Sequence, residues 1–160
     1  DPIAFKCELQ KEFALDGIGT EAERQRAVAM GFCDYTPRHR HQFAMYIDGY
    51  WWWLDYQKCV DEDDPIACLD VTILSERVLD KLLGIKDLRR DKRIDFVGGI
   101  RGLGELARRV DSGEMAVAFA LYPVSMKELV DIADSGNIMP PKTTWFEPKL
   151  RSGLAIHKLD

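Results

Sequence analysis

The densest set of anion-binding side chains lies near the end of the chain. Two lysines, one arginine and three hydroxyls fall within eleven positions, from Lys142 to Ser152. Ammonium groups and hydroxyls donate hydrogen bonds to anionic oxygens. Pro140, Pro141 and Pro148 restrict the backbone there, which lowers the cost of ordering it around a ligand. Residue types leave two readings open. Lys142, Thr143, Thr144 and Lys149 form a phosphate or carboxylate cradle, or the segment is a plain surface crossover.

A second candidate is the run from Gly98 to Ala107, GGIRGLGELA. It sits where a strand would pass into a helix, and Gly102-x-Gly104-x-x-Ala107 loosely matches a dinucleotide fingerprint. A dinucleotide fold needs an acidic residue at the end of the next strand to hold the ribose. That segment reads Phe119-Ala-Leu-Tyr-Pro123 and carries no carboxylate. The dinucleotide reading therefore fails. A looser anion site built on the glycines and Arg101 stays open beside a flexible strand-to-helix turn.

Other chemistry is sparse. Cys7, Cys33, Cys59 and Cys68 form no C-x-x-C pair, so zinc-ribbon and thioredoxin-type sites are excluded. Reduced thiols and a cytoplasmic location are expected. His39-x-His41 could be combined with Cys33, but no fourth metal ligand has suitable spacing. The run Asp61-Glu-Asp-Asp64 lacks the alternating ligands and central glycine of a calcium loop and reads as a turn ending at Pro65. No nucleophile elbow is present, and the three histidines assemble into no Ser-His-Asp set. A net charge of -5 disfavours general nucleic-acid binding. The basic stretch Lys86 to Arg93 contains two aspartates and reads as a solvated linker. The uncharged apolar run from Ala116 to Val124 is too short for a bilayer, which needs about 20 residues.

The elements that position these groups can be read in order. The 160 residues suit a single domain that buries roughly 70% of its unfolded surface. Residues 2–13 read as a helix. Thr20-x-x-Glu23 and Ser125-x-x-Glu128 are capping boxes that open two further helices. Between strands 43–47 and 50–54, Asp48-Gly49 predicts a two-residue hairpin turn. That turn pairs Ile47 with Tyr50, Met45 with Trp52 and Phe43 with Leu54 on one face. Ala44, Tyr46, Trp51 and Trp53 take the other. Both faces are apolar or aromatic, so the second requires a cover: a helix, another domain or a ligand. Asp70 reads as the cap of a helix with Val71, Leu74, Val78 and Leu82 on one stripe. Residues 94–97 read as a strand. Leu103, Leu106, Ala107 and Val110 mark the buried face of a helix. Residues 115–121 read as a strand buried on both faces. Met126, Leu129, Val130 and Ala133 are expected to face inward, and residues 154–159 read as a last strand. The expected class is α+β: a mixed sheet with an antiparallel hairpin (43–54) followed by a β-α-β-α-β section, helices packed on the sheet.

Several segments carry a resemblance. They are Ile94-Asp-Phe-Val-Gly-Gly-Ile-Arg-Gly-Leu-Gly-Glu-Leu106, Arg109-Val-Asp-Ser-Gly-Glu114, Ala118-Phe-Ala-Leu-Tyr-Pro123, Ile132-Ala-Asp134 and Met139-Pro-Pro-Lys-Thr-Thr-Trp-Phe-Glu-Pro-Lys-Leu-Arg-Ser-Gly-Leu154. Together they resemble the C-terminal part of the bacterial and archaeal domain of unknown function 1015 family, most closely from residue 70 onward. The N-terminal part of that family resembles the ParB/sulfiredoxin superfamily, which includes nucleotide-binding proteins and free-serine kinases. The resemblance implies a role in handling serine, phosphoserine or a nucleotide, with magnesium as a metal. It carries Lys142, Thr143, Thr144 and Lys149 over as phosphate or substrate contacts.

The family's Asp-Gly-His-His-Arg segment has no counterpart here. The two Asp-Gly pairs, Asp16-Gly17 and Asp48-Gly49, are not followed by histidine. The expectation is a C-terminal domain of a longer cytoplasmic protein, inactive alone, whose site is finished by an N-terminal domain of the same protein. The alternative is a non-catalytic module docking a partner or a second copy through Tyr46, Trp51 and Trp53. A membrane partner is not expected.

Overall fold

The Asp48-Gly49 turn organises the centre of the protein. The computed structural model describes residues 1–32 and 34–140. Asp48 (φ 52°) and Gly49 (φ 82°) both take the left-handed conformation that a tight, twist-matched hairpin turn requires. The turn joins β2 (Gln42–Ile47) to β3 (Tyr50–Tyr56). The pairing is Ile47 with Tyr50, Met45 with Trp52 and Phe43 with Leu54, as the turn predicts.

Around this hairpin the order is α1 (Pro2–Leu9), β1 (Phe13–Thr20), α2 (Glu21–Ala29), the hairpin, α3 (Asp70–Leu74), α4 (Gly102–Asp111), β4 (Ala118–Leu121) and α5 (Met126–Asp134). A π-helical turn, Ser75–Asp80, prolongs α3, and a 3-10 turn, Gly99–Arg101, leads into α4. The strand order is β1-β3-β2-β4, an α+β arrangement. All three pairings are antiparallel. The parallel component expected of a mixed sheet does not occur among the described residues, because residues 94–97 form no strand there. The segment 154–159 lies outside them.

Both hairpin faces are buried, and the chain supplies both covers. Phe43, Met45, Ile47 and Leu54 pack with Leu9 and Phe13, and with Ile73, Leu74, Val78 and Leu79 of the α3 region. On the opposite face Ala44, Tyr46 and Trp51 pack under Leu103 and Ala107 of α4. The four-residue spacing of Leu103 and Ala107 places both on one side of the helix. Leu106 and Val110 flank them, as the periodicity predicts.

Four local expectations change. The first helix stops at Leu9, and Phe13–Thr20 pairs with β3 as an edge strand. Gly17 and Gly19 interrupt its apolar alternation and mark a bulge, which hides the strand from a periodicity reading. Leu69, not Asp70, occupies the N-cap of α3, and no side chain caps that helix. The π turn then adds a residue to the helical repeat, so Ile73, Leu74, Val78 and Leu79 become the buried stripe. β4 is half-buried rather than enclosed on both faces. In α5, Met126 and Val130 are exposed and Ile132 is the buried anchor.

Both capping boxes form. Thr20 Oγ1 accepts from the Glu23 backbone N–H while Glu23 accepts from the Thr20 N–H, and Ser125 and Glu128 repeat the arrangement.

A second polar lock holds α2 against the hairpin. Glu21 accepts from Trp51 Nε1 at 2.8 Å and from Arg24 Nε and Nη2 at 2.7 Å each. Arg24 also binds Asp34. Burial alone would raise the Glu21 carboxyl, but hydrogen bonds from Arg24, Trp51 and Gln25 together hold it below its ordinary 4.5. A carboxyl lowered on folding contributes stability above its unfolded value and loses it as pH falls through the folded value. Stability should therefore decline below pH 4.5 in urea melts, and Glu21→Gln should flatten that decline. Ala107 is fully enclosed against the hairpin, so Ala107→Leu should cost about 1–3 kcal/mol by overpacking. The same substitution at exposed Ala133 should change the unfolding midpoint little.

Candidate functional site

Of the five residues singled out for anion binding, Arg101 lies within the described structure. Lys142, Thr143, Thr144 and Lys149 lie outside it. Arg101 ends the 3-10 turn and occupies the N-cap position of α4, where no side chain caps the helix. Its side chain is exposed and makes no hydrogen bond or ion pair with any described residue. Its charge helps to lower the Asp95 carboxyl, after the larger effects of Arg109 and the Phe96 N–H.

The glycines around Arg101 have separable roles. Gly102 adopts φ 68°, which lets the 3-10 turn swing into α4. Gly104 faces α2: a Cβ there would lie 3.2 Å from Arg24 Nη2 and 3.8 Å from Glu21 Oε1. Ala107 closes on the hairpin. The spacing that imitates a dinucleotide fingerprint is thus occupied by packing of α4 onto its neighbours.

Carboxylates near Arg101 are committed to arginines. Asp95 binds Arg109, which with the Phe96 backbone N–H holds its carboxyl below the usual range. Glu105 accepts from Arg108 at 2.8 Å and Arg109 at 3.0 Å, which draw its carboxyl down to about 2. Among the described residues no group of three His, Cys, Asp or Glu side chains could hold a metal ion.

A second constellation escaped the sequence reading. His41 takes the left-handed conformation (φ 66°), uncommon for a residue with a Cβ. It is pinned at two points: its backbone N–H donates to Asp70 Oδ1 at 2.8 Å, and its ring Nδ1 lies 2.9 Å from the same oxygen. The other ring nitrogen, Nε2, lies 3.5 Å from Glu62 Oε1. Burial raises the Asp70 carboxyl, and the two His41 contacts offset part of that rise.

The neighbouring Arg40 ties three segments together. Its Nη1 donates to Glu62 at 3.3 Å and its Nη2 to the Cys68 carbonyl at 3.3 Å. Its Nε sits 3.1 Å from Glu128 Oε1, an ion-pair contact without hydrogen-bond alignment. The Glu128 and Glu62 charges outweigh the effect of burial and raise the guanidinium. His39 points elsewhere, 3.5 Å from Asp55, so His39 and His41 do not converge. Residues i and i+2 of an extended segment share a side, and the left-handed backbone at His41 breaks that alternation. The pairing with Asp70, 29 residues on, had no sequence signal.

The aromatic face offered as a docking surface is already covered. Tyr46 and Trp51 are buried beneath α4, and Tyr46 Oη donates to Asp111 at 2.9 Å. Trp53 is half-buried, with the Arg38 guanidinium 4.0 Å from its ring centroid. Cys7, Cys59 and Cys68 are free thiols. No helix among the described residues is long and apolar enough to cross a membrane. No family model, curated protein or solved structure matches the chain.

Asp70 carries a structural prediction. Asp70→Ala leaves the His41 N–H and ring without their acceptor and should cost about 1–3 kcal/mol in urea denaturation. Asp70→Asn keeps an oxygen acceptor for the backbone N–H and should cost less than Asp70→Ala.

Proposed function

We propose that this chain is the C-terminal module of a cytoplasmic protein that handles phosphorylated small molecules, with serine, phosphoserine or a nucleotide as ligand. In this reading Lys142, Thr143, Thr144 and Lys149 contact the anion from one segment and Arg101 from another. An N-terminal domain of the same protein completes the site. The resemblance to the domain of unknown function 1015 family supports the assignment of the first four residues.

The observation that carries the reading is the state of Arg101. Arg24, Arg40, Arg77, Arg90, Arg93, Arg108 and Arg109 pair with carboxylates, whereas Arg26, Arg38, Arg89 and Arg101 do not among the described residues. Arg101 sits at the start of a ten-residue helix, exposed, between Ile100 and Gly102, with no carboxylate in ion-pair contact among the described residues. A guanidinium beside the positive end of a helix favours a phosphoryl or carboxylate group. Phosphoryl transfer asks the protein mainly for positioning and charge stabilisation, which cations of this kind supply. The docking alternative draws no support from the hairpin, because α4 already occupies the face it would use.

Calorimetric titration of the full-length protein, N-terminal domain included, with phosphoserine and with ATP tests the reading. Lys142→Ala and Arg101→Ala should each weaken the ligand that binds by roughly tenfold or more, the loss expected for one charge-assisted hydrogen bond. Equal affinity in all three proteins would remove the proposal.

A further inference from the structure

The two edges of the sheet are guarded unequally. In the order β1-β3-β2-β4, β1 and β4 are the outer strands. An outer strand presents a row of backbone N–H and C=O groups that invite pairing, and charges and bulges on it discourage that. β1 carries Asp16 and a bulge between Gly17 and Gly19. β4 reads Ala118-Phe-Ala-Leu121, with no charge, no proline and an unbroken register against β2. Among the described residues, every hydrogen bond of this strand belongs to the β2 ladder. Alternate residues of an antiparallel strand bond to the partner, so the others turn their N–H and C=O groups to the free edge.

The side chains of β4 are unfinished in the same direction. Phe119 and Leu121 extend the layer of Phe43 and Met45, and Ala120 extends that of Ala44 and Tyr46 beneath α4. Both layers thin out there: the β2 residues are buried, whereas their β4 partners are half-buried. Large side chains lie on one face of this edge and small ones on the other. A strand that finishes both layers must repeat that alternation.

Residues 154–156, Leu-Ala-Ile, repeat it within the strand pattern 154–159. The segment is also within reach. The described chain runs from β4 through α5 to Pro140. Residues 141–153 can then span roughly 40 Å at about 3.3 Å per residue, while a domain of this length has a radius of gyration of about 15 Å. A tethered segment meets the edge at an effective concentration on the order of millimolar, which a second copy does not reach in dilute solution.

We propose that residues 154–159 dock on the free edge of β4 as a fifth strand. Leu154 and Ile156 lie on the side of Phe119 and Leu121, and Ala155 on the side of α4. The proposal does not rest on the anion reading. It does hold the segment that carries Lys142, Thr143, Thr144 and Lys149 at both ends.

Amide exchange followed by NMR tests this residue by residue. In the full chain every β4 amide is expected to be protected. Deleting residues 154–160 should speed exchange of the outward β4 amides at least about fivefold, the effect of one lost hydrogen bond, and change the β2-facing ones less. Ile156→Pro keeps the chain length but opposes strand pairing, and should act like the deletion. Ile156→Val should leave protection unchanged. The β3 amides report whether each variant is folded; if the deletion unfolds the protein, Ile156→Pro against Ile156→Val decides. Lys142→Ala should not alter β4 exchange, which separates this proposal from the phosphoryl reading. Outward amides that exchange in the full chain as fast as exposed loop amides would overturn the proposal. So would protection that survives both the deletion and Ile156→Pro. Protection that falls on about tenfold dilution of the protein would assign the edge to a second copy and overturn it too.

Discussion

The β2-β3 hairpin has no face that tolerates water, and the rest of the described structure follows from covering it twice. One face carries Phe43, Met45, Ile47 and Leu54; the other carries Ala44, Tyr46 and Trp51. Each buried large side chain is worth about 1.5–3 kcal/mol, so exposing either face would cost a large fraction of a domain's net stability. The first face is closed from the N-terminal side and by the α3 region, the second by α4. That second closure explains why a glycine-rich run sits at the start of α4. Gly104 leaves room for Arg24, and Ala107 lets the helix approach the hairpin. A sequence pattern that resembles phosphate chemistry is, at two of its three positions, a close-packing device.

The covers are held in place by partly buried polar groups. Trp51 lies at the centre of the second face, yet its indole N–H reaches Glu21 at the start of α2. Glu21 also holds Arg24, and Arg24 holds Asp34 beyond the end of α2. Arg40 performs the corresponding work at the other end of β2, linking Glu62, the Cys68 carbonyl and Glu128 of α5. Desolvation penalises charges in such positions, so these networks are better regarded as orienting devices than as a net source of stability. They fix where α2, α3 and α5 meet the sheet, which undirected apolar packing would leave loosely specified.

Local chemistry was legible in the sequence and distant chemistry was not. The hairpin register followed from Asp48-Gly49, the helix starts from Thr20/Glu23 and Ser125/Glu128, and the face of α4 from the spacing of Leu103 and Ala107. Each depends on residues within a few positions of one another. β1 was missed because Gly17 and Gly19 break the alternation that identifies a strand. The α3 stripe was shifted because a π turn alters the helical period with no clear residue signature. The His41–Asp70 and Tyr46–Asp111 pairs join residues 29 and 65 positions apart. No spacing rule reaches that far. Of the candidate site, Arg101 was found by its type and its glycine neighbours, while Lys142, Thr143, Thr144 and Lys149 lie outside the described residues.

Where unsatisfied groups remain narrows where function can reside. Arg93 is tied to Asp91 and to the carbonyls of Leu83 and Gly84, and Arg109 is bonded to carboxylates, so both arginines serve the fold. A side chain already satisfied must give up its partner before it can hold a ligand, and that loss subtracts from affinity. The Arg101 side chain has no such partner among the described residues to surrender, and its backbone is fixed at the start of α4. The same packing that closes the second face of the hairpin therefore leaves this guanidinium at its margin, where α4 begins.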